Sequence, residues 1–125
     1  MKRFTLLVIL TSATVTMARC FPDSGQKWAT EACKDAARGA IRDLCNSGRF
    51  AGYFNQGETK YACAECPYAG IKFDFAVGWQ GRGGLTLNKE DCIKRLTDEV
   101  NGCQAGGEKV TADWLFRSDP NTGRC

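Results

Sequence analysis

Eight cysteines and no histidine set the limits on what this 125-residue chain can become. An even set of cysteines along a small chain reads as a disulfide framework if the compartment is oxidising. The start of the sequence supplies that compartment. Lys2 and Arg3 precede an apolar run from Phe4 to Leu10, and small residues then lead to Thr16-Met17-Ala18. This is the pattern of a secretory signal peptide over residues 1–18, cleaved after Ala18. The apolar run falls well short of the roughly 20 residues that span a bilayer, so no membrane span is expected. The expectation is a secreted, extracellular protein whose residues 19–125 form one domain.

Lys2 and Arg3 are two of the 17 basic residues and would leave with the leader, which brings the mature part close to balance with its 14 acidic ones. Nucleic-acid binding needs clustered Lys and Arg to displace counterions, and no such cluster occurs. Ordering a domain of this size costs about 1.5 kcal/mol per residue. Four disulfides at about 2–4 kcal/mol each would therefore carry a large share of the net stability. Cys20, Cys33, Cys45, Cys63, Cys66, Cys92, Cys103 and Cys125 are all assigned to that framework.

The chain then divides by hydrophobic period. Ser24 is placed to cap a helix containing Trp28, Ala32, Cys33, Ala36, Ala40, Ile41, Leu44 and Cys45 at steps of three and four, and Gly48 is placed to end it. Between Arg49 and Leu87 the period is two. Ile71, Phe73, Phe75, Val77 and Trp79 alternate with Lys72, Asp74, Ala76 and Gly78, which predicts a half-buried strand. Weaker strands are expected at 50–54, 58–63 and 85–87, joined by Gly- and Pro-containing turns that suit antiparallel hairpins. Asn88 caps a second helix with the apolar stripe Cys92, Ile93, Leu96, Val100 and Cys103. A last strand is expected from about Lys109 to Arg117, followed by a closing turn at 119–123. The order predicts a single α+β domain with a mainly antiparallel sheet of about five strands, stapled by disulfides.

Helical rise separates Cys33 from Cys45 by about 18 Å and Cys92 from Cys103 by about 16 Å. A disulfide needs Cα atoms within about 7 Å, so neither pair can close. Cys63 and Cys66, on an extended segment before Pro67, are also too far apart. Helix-borne cysteines are expected to reach strands and termini, and Cys103 to Cys125 is the one pairing expected. Most other connectivities stay open.

Without histidine, Ser-His-Asp, Cys-His and two-histidine mechanisms are excluded. Cys63-Ala64-Glu65-Cys66 has redox spacing, but a strand leads into it and proline follows, whereas a reactive dithiol opens a helix. Zinc needs a second such pair, which is absent. No metal or cofactor is expected. Asp74 and Asp113, both expected in strands on the parity opposite the aromatics, are the residues a carboxylate-pair glycoside hydrolase would use. Their ordinary reading is as solvated positions, so the chain is expected not to be an enzyme. Surface recognition is the default.

The segment Cys20-Phe21-Pro22-Asp23-Ser24-Gly25-Gln26-Lys27-Trp28 resembles the small secreted fungal glycan-binding proteins of the Y-three-like lectin family. So do Gly106-Gly107, Trp114-Leu115-Phe116 and the ending Asp119-Pro120-Asn121-Thr122-Gly123-Arg124-Cys125. The resemblance spans residues 19–125. It implies an α/β/α sandwich with helices on both sides of the sheet, a glycan or glycoprotein ligand, possible cytotoxicity, and a homodimer through sheet edges. Fungal members also look like candidate effectors, so the alternative is a virulence effector or toxin binding a host protein or membrane component. No family sugar contact maps onto this chain.

A ligand site therefore has to be sought among the residues themselves. Sugar sites combine an aromatic wall with fixed polar groups. Two loops offer such a set: Tyr68 after Cys66, and Trp79, Gln80 and Arg82 before Gly83-Gly84. The second is preferred because Gln80 and Arg82 place donors beside the ring. Trp79 shares its parity with Phe73 and Phe75, however, so core packing is the competing reading.

Overall fold

A computed structural model describes residues 17–125; the expected leader, apart from Met17 and Ala18, lies outside them. The described elements are β1 (Met17–Cys20), α1 (Glu31–Asn46), β2 (Gly52–Phe54), β3 (Thr59–Cys66), β4 (Ile71–Trp79), β5 (Leu85–Leu87), α2 (Lys89–Gly102), β6 (Gly107–Thr111) and β7 (Trp114–Thr122). Five strands form one antiparallel sheet in the order β1-β6-β7-β4-β3, and β2 and β5 make a separate ribbon. The α+β class holds.

The layering differs from the expected sandwich. Alternation along β4 sends Phe73, Phe75, Val77 and Trp79 to one face, where register sets them beside Pro120, Ser118, Phe116 and Trp114 of β7. Both helices cover that same face. Ser118 donates a hydrogen bond to the Leu96 carbonyl of α2 at 2.8 Å, and Cys33 of α1 bonds Cys66 at the end of β3. Cys45 and Cys92 link the two helices to each other. The domain thus has two layers, not three, with Phe54 and Leu87 of the ribbon closing one end of the core.

Helix α1 begins later than expected. Thr30, not Ser24, is its cap, accepting from the Cys33 N–H at 3.1 Å. Tertiary contacts hold Trp28 out of the helix: its indole is buried and donates to the Cys103 carbonyl at 2.8 Å. Helix α2 starts as expected, with Asn88 accepting from the Asp91 N–H at 2.8 Å.

The expected last strand is really two. Ala112 and Asp113 both adopt positive φ, 48° and 65°, which is the geometry of a two-residue hairpin turn usually built from Asn-Gly. Asp113 therefore lies in a turn, and the stretch expected as a closing turn continues β7 to Thr122. Pro120 is tolerated there because β6 begins at Gly107, opposite Ser118, so Pro120 has no ladder partner on that side.

All eight cysteines are paired, as Cys20–Cys103, Cys33–Cys66, Cys45–Cys92 and Cys63–Cys125. The three excluded pairs are absent. The expected Cys103–Cys125 bond is not formed. The hairpin carries the chain end across the sheet to β3, so Cys125 meets Cys63, while Cys103 meets Cys20. The helix-to-helix bond Cys45–Cys92 also departs from the expectation that helical cysteines reach strands and termini.

Candidate functional site

In the preferred loop, Trp79 does not serve as an aromatic platform. Trp79 is only 7 % exposed and packs on Trp114 with ring centroids 4.7 Å apart. Its indole N–H donates to the Gly83 carbonyl at 2.6 Å, which folds the loop back over the ring. Gly81 sits where any side chain would strike the indole. The core reading of Trp79 holds. Gln80 and Arg82 are exposed beside it, and the exposed ring at this loop is Tyr53, which lies against Gly84. Tyr68 is almost fully exposed in the turn after Cys66. Cys63 and Cys66 serve two different structural disulfides.

A richer arrangement lies on the sheet face that the helices leave uncovered. The parity that buries Phe73 and Phe75 turns Lys72, Asp74 and Ala76 outward. Register then brings Tyr61 of β3 and Arg117 of β7 to either side of Ala76, and sets Asp74 directly opposite Asp119 and Lys72 opposite Asn121. All of these except Lys72 line a trough of about 380 Å³. Ala76 is its floor at 5 % exposure, and Tyr61, 73 % exposed, stands as one wall. The Arg117 guanidinium lies 5.1 Å from the centre of the Phe21 ring on the other side.

The electrostatics are unusual for a plain surface. Like charges directly opposite on a sheet cost roughly 0.2–1 kcal/mol, and Asp74 faces Asp119 in this way. Each acid is steadied by its neighbours. Asn121 Nδ2 donates to Asp74 Oδ2 at 2.7 Å, with Lys72 Nζ at 4.0 Å from the same oxygen. Arg117 donates to Asp119 Oδ2 at 3.2 Å. Among the described residues only one oxygen of each carboxylate is engaged in this way, which leaves the other as an acceptor. A ring wall, two free acceptors and an amide with a guanidinium form a set suited to a hydroxyl-bearing ligand.

A second depression of about 290 Å³ lies at the start of α1, lined by Lys27, Trp28, Thr30 and Lys34 among others. Its tryptophan is buried at 1 % exposure, so it offers no ring to a ligand. Among the described residues, no group of three or more His, Cys, Asp or Glu is placed to hold a metal ion. No described helix is long and apolar enough to cross a membrane.

Sequence reasoning found Asp74 but paired it with Asp113, and it missed Asp119, Arg117, Asn121 and Tyr61. A usable signal was present. Leu115, Arg117, Asp119 and Asn121 alternate with Phe116, Ser118 and Pro120, the strand period running through the supposed turn. No protein-family model matches the chain, and no curated protein matches it either.

Proposed function

We propose that this protein is a secreted, non-enzymatic carbohydrate-binding protein, lectin-like in action, that receives a sugar on its uncovered sheet face. The observation that carries the reading is the trough itself. An exposed tyrosine stands beside two opposed carboxylates that cost the sheet stability, and local violations of this kind are expected where function has set the sequence. Tyr61 would lie against the C–H face of a pyranose, with Asp74 and Asp119 accepting from its hydroxyls. Arg117 and Asn121 hold the acids and donate to ring or acetamido oxygens.

A glycan array on oxidised protein tests this, with Tyr61→Ala and Asp119→Asn beside the wild type, and Gln80→Ala and Arg82→Ala for the loop. Loss of about tenfold or more in affinity for Tyr61→Ala, the scale of an anchoring aromatic, supports the assignment. Binding that survives Tyr61→Ala but falls with Gln80→Ala or Arg82→Ala moves the site to the loop. Released reducing ends would make the protein a hydrolase.

The second reading is an effector or toxin that binds a protein or membrane component of a host. Tyr53 and Leu85 favour it, as apolar side chains 60 % and 44 % exposed on the small ribbon. A host-cell response without any array signal would select it.

A further inference from the structure

Glu99 is a carboxyl-bearing residue of α2 with only 4 % exposure. Its Oε2 lies 3.7 Å from Cys103 Sγ, a disulfide sulfur that carries no hydrogen to donate. The fold therefore buries an acid against a disulfide, not against a cation or an N–H. The charged residues around it are Asp98 on α2 and Glu108 and Lys109 on β6. Arg19, the charged residue of β1, pairs in register with Glu108. Burial, acting against the attraction of Lys109, raises the Glu99 carboxyl above the ordinary carboxylate range.

The residue at the other end of this bond is exposed. Cys20 is exposed while Cys103 is 7 % exposed, so a nucleophile from solvent meets Cys20 first. Cys103 is then the leaving sulfur, and its position is poor for a thiolate. It is the C-terminal cap of α2, at the negative end of the helix dipole, with no basic residue in the last turn. A thiolate formed there needs a proton, and Glu99 lies one helical turn earlier.

We propose that Cys20–Cys103 is a thiol-exchange site in which a small external thiolate attacks Cys20 Sγ and Glu99 protonates the departing Cys103 sulfur. The thiolate forms a mixed disulfide with Cys20, and the electron pair of the broken S–S bond goes to Cys103 Sγ. Glu99 gives up its proton and is left as a carboxylate. A second thiol then releases Cys20 and carries away the oxidised small disulfide. The exchange unhooks Cys20 from the end of α2, while Arg19 and Cys20 stay paired to Glu108 and Gly107 of β6.

The other bonds provide internal controls. Cys33–Cys66 and Cys45–Cys92 are buried. Cys63–Cys125 has an exposed end, but its nearby acids are engaged elsewhere: Glu65 accepts from the Cys125 backbone N–H at 2.9 Å, and Asp74, opposite Cys63 in register, accepts from Asn121 at 2.7 Å. The full oxidised protein is treated with reduced glutathione from pH 4.5 to 8, quenched, and its cysteines mass-tagged and mapped. Rate constants are normalised to glutathione thiolate. For Cys20–Cys103 the normalised constant should rise as pH falls, by up to about tenfold per unit above the Glu99 titration, with glutathione trapped on Cys20. Glu99→Gln should flatten that profile, and Cys63–Cys125 should be flat in both proteins. An equal slope in Glu99→Gln, an equal slope at Cys63–Cys125, or glutathione trapped on Cys103 would overturn the proposal. If Glu99→Gln does not oxidise to four disulfides, the wild-type slope difference and trapping position still decide.

Discussion

Replacing Trp79 by alanine separates a core residue from a ligand platform. A buried tryptophan hides about 150–250 Å², which at roughly 25 cal/mol per Å² is about 4–6 kcal/mol. The lost ring contact with Trp114 adds about 0.5–1.5 kcal/mol, and the Gly83 carbonyl loses its donor. Partial collapse around the gap offsets some of this, and measured Phe/Trp→Ala changes in cores fall at about 3–5 kcal/mol. That range is the expectation for Trp79→Ala. Trp79→Phe keeps most of the apolar contact and removes the indole hydrogen bond, so about 1–2 kcal/mol is expected. Urea unfolding of the disulfide-intact proteins, followed by tryptophan fluorescence and by circular dichroism, gives both numbers from midpoint and slope. A Trp79→Ala protein that loses under about 1 kcal/mol, the scale of an average surface change, while its glycan binding disappears, would refute the core assignment.

Asp119→Asn should leave stability unchanged or raise it by roughly 0.2–1 kcal/mol by removing the repulsion from Asp74, while weakening sugar binding; a melting curve and the array together check it. Glu99→Gln should be more stable than wild type at pH 8 and nearly equal to it below the ordinary carboxylate range. The raised folded-state value means the folded chain binds more protons, so wild-type stability falls as pH rises from that ordinary range through the folded-state value; urea melts at pH 4 and pH 8 read the difference. Removing Cys45–Cys92 as a double serine variant should cost about 2–5 kcal/mol, read as a drop in melting temperature. A homodimer through the free edge of β3 should give twice the monomer mass by light scattering at tens of micromolar, and a monomer mass there ends that part of the reading.

Local chemistry was legible in this sequence wherever the governing contact lay within a few residues. The period-two run of Ile71–Trp79 gave its strand to the residue, and Asn88 with its following acids gave the start of α2. What failed was set at a distance. Trp28 is drawn from a helical pattern by the Cys103 carbonyl, 75 positions away. The Ala112-Asp113 turn takes left-handed geometry without Gly or Asn, because β6 and β7 pair well enough to hold it. The disulfide map and the facing of Asp74 by Asp119 depend on strand order, which a single sequence does not encode locally. Glu99 fell in an apolar stripe and was missed because a buried carboxyl has no hydropathy signature.

The pattern of disulfides explains how one sheet face stays free. A two-layer domain of this size buries only one side of its sheet and lacks the second helical layer that would add to its core. The bonds stand where that layer would have contributed. Cys33–Cys66 ties α1 to β3, Cys45–Cys92 ties the helices together, and Cys20–Cys103 ties β1 to α2. Each closes a loop of at least 33 residues, long enough for roughly 4–4.5 kcal/mol under the chain-entropy account. Only Cys63–Cys125 involves the uncovered face, where it pins the chain end beside Asp74, the residue opposite Cys63 in register. Covalent closure therefore does on the helix side what a third layer would do by burial. The outward residues of β3, β4 and β7 are released from packing, and that freedom is what lets two carboxylates face each other across the sheet.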